Sequence, residues 1–285
     1  MKLVVFGLGY SAEAFCRRVA ARTSSVVATR RSAVSPRDGF AMRRFPGDEA
    51  ALAQDIRDAD ALLVSVPPGE LGDPVLAAFR DAIAAAPCLR WIAYLSTIGV
   101  YGGHDGAWID EKAEPRPASA RSTRRLEADE AWLALGRETG KPVAVFRLAG
   151  IYGPGRSAFD KLADGTARRV IKPGQVFNRI HVDDIAAVLE ASLDRPRNGA
   201  VYNVADNEPS PPQDVIAHAA KLAGMPVPPE IPFSDVEMTP MAASFWGENK
   251  RVSNRLIREE LGVQLAYPTY REGLQGLLDE AAPGT

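Results

Sequence analysis

Leu3-Val4-Val5-Phe6-Gly7-Leu8-Gly9-Tyr10-Ser11-Ala12 decides how this chain is read. Four apolar residues of strand length run into a glycine-rich turn. Beyond it, Ala12, Phe15, Cys16, Val19 and Ala20 recur at helical spacing. Strand, turn and helix in that order form a cradle for phosphates. Glycine at 7 permits a tight bend, glycine at 9 lets a pyrophosphate approach the backbone, and a small residue at 12 lets helix and strand pack closely. The helix N-terminus adds free N–H groups and partial positive charge. The expected ligand is a dinucleotide on Gly7, Gly9, Tyr10, Ser11 and Ala12.

Moving outward, short apolar runs alternate with helical patterns. Residues 25–29, 59–66, 91–96, 143–148 and 200–204 read as strands. Residues 49–57, 74–86, 124–137 and 182–193 read as helices. Fully apolar strands alternating with helices imply a parallel sheet covered on both faces, a doubly wound α/β (Rossmann) architecture. After Gly150 the regularity fades, and residues 206–241 carry many prolines. The expected organisation is a dinucleotide-binding domain over 1–150 and 181–204, with a smaller, discontinuous C-terminal substrate domain over 151–180 and 205–285.

The second strand bears on the choice of dinucleotide. NAD sites usually end this strand with an acid for the ribose 2′-hydroxyl, whereas this one ends in Thr29-Arg30-Arg31. An arginine pair suits the 2′-phosphate of NADP, so NADP is the expected cofactor and NAD the alternative. Ser65-Val66-Pro67, ending a strand on the same sheet edge, is expected to line the cofactor. Asp48 either approaches the adenine side or is an exposed loop acid.

Composition narrows the classes. The 285 residues are 46% hydrophobic and 25% charged, with a formal net charge of -2, which gives no general attraction to nucleic acid or membrane. Two cysteines, Cys16 and Cys88, supply neither a disulfide framework nor zinc spacing, and Cys16 is expected to be a buried thiol. No signal peptide and no membrane-length apolar run is legible, so the expectation is a soluble, cytoplasmic protein. His104, His181 and His218 lack metal-ligand spacing, so no metal site is expected.

Leu95-Ser96-Thr97-Ile98-Gly99-Val100-Tyr101-Gly102, Arg147-Leu148-Ala149-Gly150-Ile151-Tyr152-Gly153-Pro154-Gly155, Ile180-His181-Val182-Asp183-Asp184 and Val201-Tyr202-Asn203-Val204-Ala205 carry a resemblance. So does Lys250-Arg251-Val252-Ser253-Asn254 with Glu260-Leu261-Gly262-Val263. The chain resembles the extended short-chain dehydrogenase/reductase superfamily, in its NAD-dependent epimerase/dehydratase group. The resemblance implies a Rossmann domain with a small substrate domain, and three catalytic groups. Thr97 stands at the Ser/Thr position that binds a substrate hydroxyl or carbonyl. The other two groups form a Tyr-x-x-x-Lys pair on the next long helix, and here the chain departs. No tyrosine lies between Tyr101 and Tyr152, and Arg121 and Arg125 stand at the Tyr and Lys places. Arginine keeps its proton, so Arg121 cannot act as the acid-base group. Arg125 can still hold a cofactor ribose or phosphate, and Tyr101 is a weaker acid-base alternative.

Two functional readings remain open. One is an NADP-dependent oxidoreductase or epimerase acting on a small molecule; the other is a non-catalytic dinucleotide sensor or regulatory protein. Arg156, Arg179, Lys250 and Arg251 either gather over the cleft and favour an anionic substrate or are ordinary surface charge. Trp108, Phe245 and Trp246 either pack or cap the pocket. His181 with Asp183 and Asp184 suggests either a metal or His-Asp relay or, as the resemblance implies, a structural junction between domains. Relatives often dimerise through the long helices, so Trp132, Leu133 and Leu135 either serve a homodimer or are buried within one chain.

Overall fold

The computed structural model describes residues 1–32 and 39–281. Seven strands form the main sheet: β1 (Lys2–Phe6), β2 (Ser25–Arg30), β3 (Ala41–Arg44), β4 (Ala61–Val64), β5 (Trp91–Thr97), β6 (Val143–Leu148) and β7 (Ala200–Val204). Their order is β7-β6-β5-β4-β1-β2-β3, and every neighbouring pair is parallel. The Rossmann α/β architecture expected from the sequence is therefore present. β3 was not legible in the sequence because Ala-Met-Arg-Arg is neither apolar nor alternating, as suits an edge strand.

Strand side chains divide between two cores by the period-two rule. In β1, Leu3 and Val5 enter one core, while Val4 and Phe6 enter the other. Helix α1 (Tyr10–Arg18) and the helix Val182–Asp194 cover the first face. Helices α2 (Glu49–Arg57), α3 (Pro74–Ala85) and α4 (Ala120–Thr139) cover the second. Helix α4 starts four residues before the apolar periodicity begins. Ser119 caps it by accepting the Ser122 N–H at 3.2 Å, and Gly140 ends it in the left-handed region. Trp132 and Leu135 on this helix lie wholly inside the second core, so burial within one chain accounts for both. Cys16 is fully buried, and burial pushes its thiol pKa up to about 12.

The smaller lobe has its own core of Tyr152, Leu162, Ile216, Tyr270 and Leu274. It is built on the helices Ala158–Ala163, Pro212–Leu222 and Tyr270–Ala281. The structure departs from the expected division at 205–285. Ile257, Leu261 and Val263 pack into the first core beside Phe146 and Tyr202, so this stretch belongs to the large sheet. Among the described residues, no helix is long and apolar enough to cross a membrane.

Candidate functional site

Strand order reverses between β1 and β4, and ligands of doubly wound sheets bind at such a crevice. The glycine turn sits there. Gly7 has φ +87°, and its N–H donates to Thr29 Oγ1 at 2.9 Å, while Leu8 N–H donates to Thr29 O at 2.9 Å. A Cβ on Gly7 would lie 3.0 Å from Val66 Cγ2, so the end of β4 is packed against the bend. Gly9 is the N-cap of α1, which has no side-chain cap, and a Cβ there would meet nothing within 4 Å. Open space thus lies before uncapped N–H groups. Ala12 is fully buried. These features fit a dinucleotide pyrophosphate.

Several expected contacts fall elsewhere. Thr29 spends its hydroxyl on Gly7 and is buried, so it shapes the turn and does not reach out to a ribose. Asp48 accepts the Arg44 N–H at 2.6 Å, which ties the carboxylate to its own turn. Tyr10 donates its hydroxyl to Pro154 O at 2.9 Å and joins α1 to the small lobe. Arg30 Nε is buried without a hydrogen-bond partner at the C-terminal end of β2. Such an orphaned cationic donor suits an anion. Arg31 beside it is exposed.

From the turn, a cleft of about 990 Å³ runs between the lobes. Ser11 and Ser65 line its cofactor end, Thr97, Arg121 and Arg125 its middle, and Arg156, Arg179, Phe245, Trp246 and Lys250 its small-lobe side. Pro67 is exposed and lies outside the lining. Thr97 ends β5, and its Oγ1 accepts the Gly99 N–H at 3.1 Å, which leaves its O–H free to donate into the cleft. A Cβ on Gly99 would lie 3.4 Å from both Thr97 Oγ1 and Ser122 Oγ, so glycine keeps these hydroxyls close to the backbone. Arg125 donates to the Tyr94 hydroxyl and the Leu95 carbonyl, each at 3.0 Å, while Arg121 sits 5.1 Å from the Phe245 ring centre.

Tyr101 corrects an expectation. It is fully buried, donates to Asn203 Oδ1 at 2.8 Å and carries the Arg147 guanidinium 4.8 Å from its ring centre. Burial raises its pKa, so it is a core residue and a poor proton donor. Arg251 also turns away, donating to the Gly106 carbonyl, and Trp108 is exposed outside the cleft. His181 is buried and caps the helix Val182–Asp194 by accepting the Asp183 N–H at 3.3 Å, a structural junction as expected.

Sequence reasoning named Lys250 but not its buried partners, and it missed the buried Arg147–Asp129 pair and Asp206. Arg147 Nε donates to Asp129 at 3.1 Å, both side chains being almost wholly shielded. Lys250 Nζ donates to Glu248 at 2.5 Å and to Gly102 O at 2.7 Å. Asp206, 2% exposed, is driven by burial to a pKa of about 8. Only the Glu248-x-Lys250 spacing left any trace in the sequence; the other partners meet through sheet and helix packing. The Asp206 shift has a signed consequence. Its folded pKa exceeds the unfolded one, so the folded chain holds a proton that the unfolded chain has released between about pH 4 and pH 8. Stability contributed by this group falls as pH rises through that window. Asp206→Asn is expected to flatten the fall by a few degrees of Tm between pH 5 and pH 8; parallel melting curves for the two proteins would contradict this.

A family model for the NAD dependent epimerase/dehydratase family matches residues 75–205. A structure of a functionally unknown conserved protein from Silicibacter pomeroyi DSS is 49% identical, with a TM-score of 0.89 over 99% of each chain. Protein YeeZ of Escherichia coli K12 is 26% identical over 94% of this chain and 96% of its own. UDP-glucuronic acid 4-epimerase from Bacillus cereus, solved with NAD, shares the fold at 17% identity and a TM-score of 0.74 over 98% of both chains. Sheet order, glycine turn, cleft and these similarities together mean that the chain belongs to the NAD-dependent epimerase/dehydratase group of the extended short-chain dehydrogenase/reductases.

Proposed function

We propose that the protein is a nicotinamide-dinucleotide-dependent oxidoreductase, using NADP in preference to NAD, that acts on a small anionic substrate. The observation that carries this reading is the continuous cleft from Ser11, at the start of α1, to Thr97 and on to a cationic small-lobe wall. When bound, the nicotinamide supplies or takes a hydride. Gly7, Gly9 and Ser11 would hold its pyrophosphate, and Arg30 would meet the 2′-phosphate. Thr97 would donate its free O–H to a substrate carbonyl oxygen and orient it. Arg156, Lys161 and Arg168 line the far side and have no carboxylate at ion-pair distance among the described residues, so they are available to a substrate anion.

A non-catalytic sensor is the second reading, favoured by Arg121 and Arg125 at the places of the family's acid-base pair. Thermal-shift titration tests the shared premise: NADPH is expected to stabilise more than NADH, and Arg30→Ala to narrow the difference. Stabilisation by neither dinucleotide would remove both readings. A screen of phosphorylated aldehydes and ketones for loss of nicotinamide absorbance separates them. Turnover that is unchanged in Thr97→Val would discard Thr97 as a catalytic residue.

A further inference from the structure

Arg121 stands at the family's tyrosine place in the cleft, and Tyr270, which also lines it, is packed in the small-lobe core against His218 and Arg271, so another group must move a substrate proton. Arginines are excluded because they do not release their protons. Tyr94 is capped by Arg125, Tyr101 is committed to Asn203 in the core, and Tyr152 faces the Thr269 carbonyl at 3.5 Å. His181 is buried beneath the lobe junction and does not line the cleft. Asp160 caps the helix Ala158–Ala163 through Ser157. Lys250 differs from all of these. It lines the cleft, yet is only 5% exposed. Its ammonium has three protons. Gly102 O and Glu248 take two of them, and no acceptor among the described residues takes the third.

We propose that Lys250 is the catalytic acid of this cleft, with Glu248 as its partner, in place of the absent tyrosine. The inference rests on the oxidoreductase reading above. As the carbonyl carbon gains a hydride from reduced nicotinamide, Lys250 Nζ gives its third proton to the carbonyl oxygen. An alcohol forms, the N–H bond breaks and its electron pair stays on a neutral amine, which water reprotonates. Glu248 holds the amine in place through a hydrogen bond and favours its charged form. Burial acts in the opposite direction and makes the proton easier to release, as a general acid near neutral pH requires. Other charged groups on the packed segments are occupied elsewhere. His104 faces Tyr101 O, Arg251 bonds Gly106 O, and Arg179 bonds Ser210. The Gly102 carbonyl that Lys250 bonds ends the short helix that follows Thr97, so the lysine is tied to the segment leaving the substrate-orienting hydroxyl.

Two measurements test the assignment. The first needs no substrate: pyridoxal 5′-phosphate with borohydride at pH 8, followed by peptide mapping. Lys250 is expected to be modified at least as fast as the exposed Lys161 and Lys221; modification confined to surface lysines would overturn the proposal. The second uses any phosphorylated carbonyl compound that the wild-type protein reduces. Lys250→Arg keeps the cation but cannot release a proton. It is expected to retain the NADPH thermal shift while kcat falls about 100-fold or more, the scale of general acid catalysis. A kcat within threefold of wild type would overturn the proposal, as would equal losses in Lys250→Arg and wild type across pH 6 to 9.5. Failure of the parent reading is distinguishable, because it shows in the wild-type protein as absence of any dinucleotide thermal shift or of turnover with every carbonyl compound screened.

Discussion

Asp129→Ala is expected to cost about 3–5 kcal/mol of folding stability, the range for removing one partner of a buried ion pair. Asp129 is fully buried on α4, and Arg147 reaches it from the middle of β6. Burial raises the pKa of Asp129, while the Arg147 guanidinium favours its charged form. Without the carboxylate, the guanidinium under the sheet loses its hydrogen-bonded counter-ion and keeps the Tyr101 face beside it. The cost is that of an uncompensated charge, not of one lost hydrogen bond. Asp129→Leu with Arg147→Met removes both charges and is expected to regain most of the loss. Urea denaturation of the two variants decides the matter: a single mutant within 1 kcal/mol of wild type (about a tenth of a typical domain's stability), or a double mutant weaker than the single, would show that the pair is not what holds α4 to β6.

Gly9→Val is expected to abolish dinucleotide binding while leaving the fold almost intact. Gly9 has φ -104° and ψ -173°, an extended conformation open to any residue, and a side chain there would meet nothing in the protein. The direct structural cost is a poorer helix cap, about 1 kcal/mol. A valine would occupy the space before the α1 N-terminus, where a pyrophosphate must approach the backbone. Affinity should fall at least a hundredfold, about 2.7 kcal/mol. Gly7→Val is the contrasting control. Its φ of +87° and the 3.0 Å approach of Val66 penalise the folded protein itself. Calorimetric titration with NADPH beside melting curves separates the two. Undiminished NADPH affinity in Gly9→Val would place the dinucleotide somewhere other than this turn.

Much of the large lobe was legible because its strands declare themselves locally. Val143–Leu148 is buried along its whole length and reads as one apolar run. The small lobe was harder. Its strands are two or three residues long, as in Arg169–Ile171 and Glu230–Pro232, and too short to show a period. The cofactor turn could be read from glycine spacing, but the use of Thr29 and Asp48 within their own turns could not. A side chain that points at a ligand and one that points at the backbone leave the same letter in the sequence. Tyr101 was misplaced for a related reason. It follows Thr97 by four residues, but the short helix Ile98–Tyr101 rotates it into the core, onto Asn203 of β7. Lys250 and Glu248 could not be paired with Gly102 from sequence, since nearly 150 residues of fold bring them together.

The return of Ile257, Leu261 and Val263 to the large sheet has a consequence for how the protein is made. A nascent chain emerges from its first residue, and β7 is complete by Val204. The core between α1 and the helix Val182–Asp194 still lacks those three side chains until residue 263 has been synthesised. The small lobe is thus threaded between two visits of the chain to the same hydrophobic core. Newly made large lobes must wait, incompletely sealed, while the proline-rich stretch is translated. Released chains ending at 254 should accordingly be far more protease-sensitive than those ending at 281, even though every strand of the main sheet is present in both.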